Sequence, residues 1–180
     1  MKKNILLLLF SMAVTLTAVA ASDPIVGGAA MYPAKNIVEN AVNSQDHTTL
    51  VAAVKAAGLV DTLESPGPFT VFAPTNEAFN KLPAGTVEML LKPENKDQLV
   101  KVLTYHVVSG RISSNDLAKQ IKDGGGKAML KTVNGATLTA SMQGKDIILT
   151  DEKGDISTVT IANVFQSNGV IHVVDTVLLP

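Results

Sequence analysis

Apolar residues recur with a helical period over the first two thirds of the chain and with a period of two over the last third. Ile37, Val38, Ala41 and Val42 share one helical face. After a polar break at Asn43–Thr48 the pattern returns as Leu50, Val51, Val54 and Ala57, closed by Gly58. This spacing predicts two short amphipathic helices. Ser65-Pro66-Gly67-Pro68 breaks the chain, and Phe69–Ala73 reads as a strand that stops at Pro74. Thr75 is placed to cap a helix over Asn76–Leu82. Leu99, Val102, Leu103 and His106 form one stripe of a further helix. Another helix is predicted with Ser114 as its cap, running through Leu117 and Ile121 to Gly124-Gly125-Gly126, where glycine accepts a left-handed closing residue.

From Ala128 the pattern alternates. Ala128–Val133 and Ala136–Met142 flank Asn134-Gly135, a strong signal for a tight hairpin whose two turn residues have positive φ. Asp146–Thr150 follows, then a polar turn at Asp151–Asp155 and a strand at Ile156–Val164. Val170–Leu179 is apolar on both sides: Val170, His172, Val174 and Leu178 on one face, Ile171, Val173, Val177 and Leu179 on the other. It should therefore be an internal strand. Helices that precede a run of strands, without alternation, indicate an α+β domain.

Composition narrows the function. The 180 residues are 46% hydrophobic and 17% charged, which is enough apolar material to bury a core. Fifteen basic against sixteen acidic residues offer nucleic acid no electrostatic footprint. With no cysteine there is no disulfide, thiol nucleophile, cysteine-zinc site or lipid-bearing cysteine. At the amino terminus Lys2 and Lys3 precede the apolar stretch Ile5–Val19, and Ala18-Val19-Ala20 supplies small residues for a signal peptidase. Residues 1–20 read as a cleaved secretory signal, cut near Ala20/Ala21. Ser11, Thr15 and Thr17 dilute a run already shorter than the roughly 20 apolar residues of a membrane span. Residues 21–35 read as a loose leader and 36–180 as the domain.

Three boxes then share one resemblance. Phe69-Thr70-Val71-Phe72-Ala73-Pro74-Thr75-Asn76-Glu77-Ala78-Phe79, the pair Tyr105-His106 with Val107-Val108, and Asn168-Gly169-Val170-Ile171-His172-Val173-Val174-Asp175-Thr176-Val177-Leu178-Leu179-Pro180 resemble the three signature segments of the fasciclin domain, in the family's order and spacing. The likeness runs from about Asn36 to Pro180, and single-domain secreted bacterial members are the most similar. It implies a wedge-shaped β-sandwich with several helices packed along one edge. It further implies a non-catalytic adhesion or interaction module outside the cytoplasm, secreted or periplasmic, that needs no cofactor and binds an extracellular or cell-surface protein or a polysaccharide. Within that resemblance Phe72, Pro74, Thr75, Asn76, Phe79, Gly169, His172 and Asp175 are structural signature positions, and Tyr105 and His106 are the candidates for adhesion. Animal members implicated in integrin binding carry an Asp-Ile pair before the closing box. This chain has Asn163-Val164 there, so integrin binding is not carried over.

The residues themselves offer little chemistry. His106 on an apolar stripe would be neutral when buried, and its expected role is to fix a helix against the sheet. A small secreted hydrolase using His106 is the remote alternative, and a self-associating structural component of the envelope or matrix the nearer one. His172 and Asp175 are three apart on a strand and face opposite ways, with Asp175 expected to bond a turn amide. His47 beside Asp46 is expected to serve a helix start. No two histidines have a metal-ligand spacing. Asp151–Asp155 lacks the alternation of a calcium loop and reads as a solvated turn; its Lys153-Gly154-Asp155 imitates an integrin-ligand tripeptide by chance. Gly124-Gly125-Gly126-Lys127 lacks the strand and the Lys-Ser/Thr of a phosphate loop and reads as a helix stop.

Overall fold

A computed structural model describes residues 23–180; the expected signal segment lies outside them. Two tiny strands, β1 (Ile25–Val26) and β2 (Ala29–Ala30), form a hairpin, followed by α1 (Ile37–Ala41), α2 (Thr48–Ala57) and α3 (Val60–Glu64). Then come β3 (Phe69–Pro74), α4 (Asn76–Asn80), α5 (Thr86–Leu90), α6 (Lys96–Tyr105), β4 (Val107–Ser109) and α7 (Ser114–Asp123). The chain closes with β5 (Lys127–Lys131), β6 (Thr137–Gln143), β7 (Asp146–Thr150), β8 (Ile156–Gln166) and β9 (Gly169–Val174).

The fold is α+β. Seven strands make one mixed sheet in the order β4-β3-β9-β8-β7-β6-β5. Its edges approach where Val108 bridges Thr132, so the sheet curls into a nearly closed barrel. The two layers of the expected sandwich are the two halves of this sheet. β8 belongs to both, pairing with β7 through Ile156–Thr158 and with β9 further along, and its register shifts between Val159 and Val164 bend it from one half to the other.

Two apolar cores result. The outer one lies between the sheet and the helices and holds Leu50, Val54, Phe79, Leu103, Ile171 and Val173. The inner one lies inside the curl, where α7 supplies Leu117 and Ile121 and the strands supply Phe72, Leu130, Leu138, Leu149 and Val174. β9 lies between β3 and β8, and its alternate residues feed opposite cores, as its two apolar faces require.

Several boundaries differ from the sequence reading, each for a local reason. Residues 23–35 are not a loose leader: Val26 in β1 and Met31 just after β2 are buried in the outer core, and strands of two residues are too short to show a period. Ser113, not Ser114, caps α7. Its hydroxyl accepts from the Asp116 amide and the Asp116 carboxylate answers to the Ser113 amide, a reciprocal box set by the three-residue spacing. The Asn134-Gly135 turn is wider than the expected two-residue hairpin. Only Gly135 has positive φ, and the Asn134 side chain bonds the Thr132 hydroxyl and the Ala136 amide. The last strand stops at Val174 instead of continuing to Leu179, because the backbone after it turns to other partners.

Candidate functional site

The three signature boxes converge in space. β3 and β9 are parallel neighbours in a register that sets Phe72 beside His172 and Val71 beside Ile171. α6 ends against the other side of β3, where the Phe72 amide donates to the His106 carbonyl at 2.9 Å. One cluster at the middle of the sheet therefore contains Phe72, Tyr105, His106 and His172.

Tyr105 is fully buried and donates its hydroxyl to the Thr137 carbonyl at 3.0 Å. Burial, with the charges of Asp151 and Glu152 nearby, pushes this phenol up to about 12. His106 is 3% exposed. Its Nδ1 lies 2.8 Å from the Val102 carbonyl, and its Nε2 accepts the Leu178 amide proton at 3.0 Å. An Nε2 that accepts carries no proton, so the ring proton sits on Nδ1 and the imidazole is neutral. Burial holds its pKa down to about 4, against the weaker pull of the Val102 carbonyl and of Asp151. Both nitrogens are occupied, which leaves none for acid-base chemistry. The side chains expected as adhesion candidates thus lie inside the protein: His106 is on the stripe that packs on the sheet, and Tyr105, at the end of α6, turns into the inner core.

His172 is also sealed. It stacks on Phe72 with ring centroids 5.7 Å apart, its Nε2 meets the Ile112 carbonyl at 2.8 Å, and its Nδ1 accepts from the Asn163 amide at 3.3 Å. Burial lowers its pKa. Asn163 sits at the bend of β8 with φ 61°, and its side chain bonds both the amide and the hydroxyl of Ser114 at the start of α7. Asn163 is thus a helix-to-sheet tie.

The remaining signature positions fix the frame. Thr75 caps α4 through the Ala78 amide at 3.2 Å, as expected. Asn76 reaches further than its neighbours: its Oδ1 accepts the Thr49 amide at 2.9 Å and its Nδ2 donates to the Gln45 carbonyl at 2.8 Å, capping α2 from another helix. Pro74 and Phe79 are buried. Gly169 leaves no room for a side chain, since a Cβ there would collide with the Phe69 carbonyl. Asp175 accepts the Thr158 amide at 2.8 Å and meets Lys81 at 3.5 Å. Partial burial opposes its ionisation, but the Thr158 amide, the Thr176 hydroxyl and Lys81 together hold the carboxyl below its usual range.

His47 stands at the N-cap position of α2, but its side chain makes no capping bond. It is buried, with Nδ1 at 2.8 Å from the Ser44 hydroxyl, while Asp46 stays exposed.

Two important residues, Asn168 at the start of the third box and Asp151 in a polar turn, have roles that their sequence neighbours do not indicate. Asn168 uses both ends of its amide: Oδ1 accepts from Ile37, and Nδ2 donates to the carbonyls of Leu63 and Ser65. Asp151, expected in solvent, is buried. It accepts the amides of Lys153 and Asp155 through Oδ1 and that of Leu179 through Oδ2. Glu152–Asp155 remain exposed around it. His106 and Asp151 therefore hold successive amides, Leu178 and Leu179, and pin the segment that leaves the ladder after β9. Among the described residues no group of three or more His, Asp or Glu side chains is placed to share a metal ion, and no helix is long and apolar enough to cross a membrane.

Comparison with known proteins agrees with this arrangement. The fasciclin domain model matches residues 45–180, and the chain belongs to that family. Protein sll1483 of Synechocystis sp. is 51% identical over 156 residues, covering 87% of this chain and 79% of that one. The cell surface glycolipoprotein MPB83 of Mycobacterium bovis is 33% identical over 193 aligned positions, covering 94% and 80% respectively. Among solved structures, the FAS1 domain pair of the insect cell adhesion molecule fasciclin I superposes with a TM-score of 0.72 at 18% identity. That match covers 82% of this chain and 52% of the insect one, so the chain spans about half of that domain pair.

Proposed function

We propose that this chain is a non-catalytic interaction module acting outside the cytoplasm, made with a signal over residues 1–20 that is removed on export. It binds a surface or matrix partner, protein or polysaccharide, without a cofactor. Family membership supports this reading, as does the name of a relative found at the cell surface.

The observation that carries the choice of surface is a row across four strands. Met129 pairs with Thr139, Thr139 with Thr150, and Thr150 with Ile156, on the face of β5–β8 turned away from the inner core. Met129 is 77% exposed and Ile156 54%. The next row places Ser141, Ile148 and Thr158 together. Two large apolar side chains set among threonines on a rigid sheet give a partner both contact area and hydrogen bonds. The buried Tyr105-His106 pair supports this face indirectly, by holding the frame.

The test is binding of the exported chain to an array of extracellular proteins and polysaccharides, beside a Met129→Glu/Ile156→Glu variant. Saturable binding that the variant loses while its melting is unchanged is the expected result. A blank array, together with sedimentation that rises with concentration, would replace a foreign partner with a second copy of the chain. Binding unaffected by the variant would move the contact to another face.

A further inference from the structure

The outer core is incompletely filled. Between α1–α3, α6 and the helix-covered face of β3 and β9 lies a cavity of about 80 Å³, walled mainly by apolar side chains such as Val54, Leu63, Val71, Leu103 and Ile171. Of the buried polar side chains that line it, His106 has both nitrogens engaged. His47 does not: its Nε2 is buried with no hydrogen-bond partner. The Ala73 backbone and the Asp46 charge favour a protonated ring, but burial outweighs them and keeps His47 neutral. Ala73 does not reach hydrogen-bond geometry with Nε2.

The neighbours of His47 decide which nitrogen carries the proton. Ser44 is 2% exposed, and His47 Nδ1 is the hydrogen-bond partner of its hydroxyl. A buried hydroxyl proton needs an acceptor, so Ser44 donates to Nδ1 and the ring proton falls on Nε2. The pair is held rigidly. The β1–β2 turn presses on it, with the Gln45 amide donating to the Gly27 carbonyl at 3.0 Å and no space at Gly27 for a side chain beside the Ser44 hydroxyl. Val26 and Met31 from the same hairpin line the cavity.

A donor fixed in an apolar chamber is a poor host for solvent. The chamber has the volume of about two or three waters, each of which would want two to four polar partners, and Nε2 is one. The geometry points to a ligand site: the chamber takes a small, uncharged, mainly apolar molecule with one hydrogen-bond acceptor oxygen, seated on His47 Nε2–H. A charged ligand is disfavoured because the walls are almost wholly apolar and the charged side chain among them, Lys55, is exposed at the rim of the fold. This site is distinct from the strand face proposed above and does not depend on it.

Dimethyl ether and propane, of nearly equal size and small enough for a chamber of two or three waters, are suitable probes on the whole chain, read by the NMR signals of the His47 ring and by melting. Dimethyl ether, whose oxygen only accepts, should bind saturably, move the Nε2 resonance and bind about tenfold more tightly than propane, the margin one buried hydrogen bond gives. His47→Phe should erase that preference. If that variant does not fold, Val54→Leu, which occupies part of the chamber, should weaken both probes. Equal affinity for the two probes would overturn the proposal, and so would a water at Nε2 that neither probe displaces.

Discussion

The two cores of this domain are built from similar residues and finished differently. Inside the curl, Tyr105, His172 and Asp151 each find partners for their buried polar atoms, and Phe72, Leu138, Leu149 and Val174 are almost wholly excluded from solvent. Between helices and sheet, an equally apolar layer retains a void and an unpartnered imidazole nitrogen. The contrast separates a core that specifies the frame from one with room to accept something. It also follows from geometry: strands in register bring side chains together at fixed spacing, whereas the outer layer is covered by several short helices joined by loops.

The largest test removes an anchor of the inner core. Phe72→Ala should cost about 3–5 kcal/mol in denaturant unfolding, because the stacked His172 and the sheet around it cannot collapse into the gap. A loss below 1 kcal/mol would mean that this core is as loose as the outer one.

Acid gives a comparable effect. His106 titrates near 4 when folded and near 6.5 when unfolded, so between those values the unfolded chain takes up a proton that the folded chain refuses. Its contribution is complete above pH 6.5, falls as pH drops toward 4 and is lost below, a change of about 3 kcal/mol. His47 and His172 are shifted in the same direction and add to the same limb. Melting followed from pH 7 to pH 4 should show the decline, and His106→Gln should flatten it; a flat profile in the parent chain would refute the neutral-imidazole assignment.

The same enlargement made in each core gives a direct comparison. Val174→Leu should destabilise by about 1–3 kcal/mol, since nothing near it can yield. Val54→Leu should stay within about 1 kcal/mol of the parent or stabilise it, because the added methylene enters existing space. Equal losses would argue that the cavity is not there in solution.

A smaller contrast lies within one turn. Asp151→Ala strips acceptors from three amides and should cost about 1–3 kcal/mol. Exposed Asp155→Ala should change stability by less than about 0.5 kcal/mol. Thermal melting of the pair distinguishes an organised turn from a solvated one.

Much of this was legible in the chain. The α+β order, the central strand with two apolar faces, the caps at Thr75 and Gly58 and the buried neutral state of His106 all follow from periodicity and residue type. What was not legible depends on partners far apart in sequence. Asn168 joins Ile37 to Leu63, and Asn76 caps a helix that begins 28 positions earlier. Asp151 looks like any turn aspartate until Leu179 is placed beside it. The β1–β2 hairpin was missed because a strand of two residues has no period, and the meaning of His47 because a cap position and a buried pocket look alike when only neighbours are known.

The pairing of β3 with β9 also bears on how the domain is made. Phe69 meets Gly169, a hundred positions away, and every rung between these strands has the same separation. Such contacts carry a large loop-closure cost before they return anything, and folding slows accordingly. On a ribosome, β3 has only the three-residue β4 beside it until β9 has emerged. The middle of the sheet is then among the last parts to lock, only after nearly the whole domain has been made.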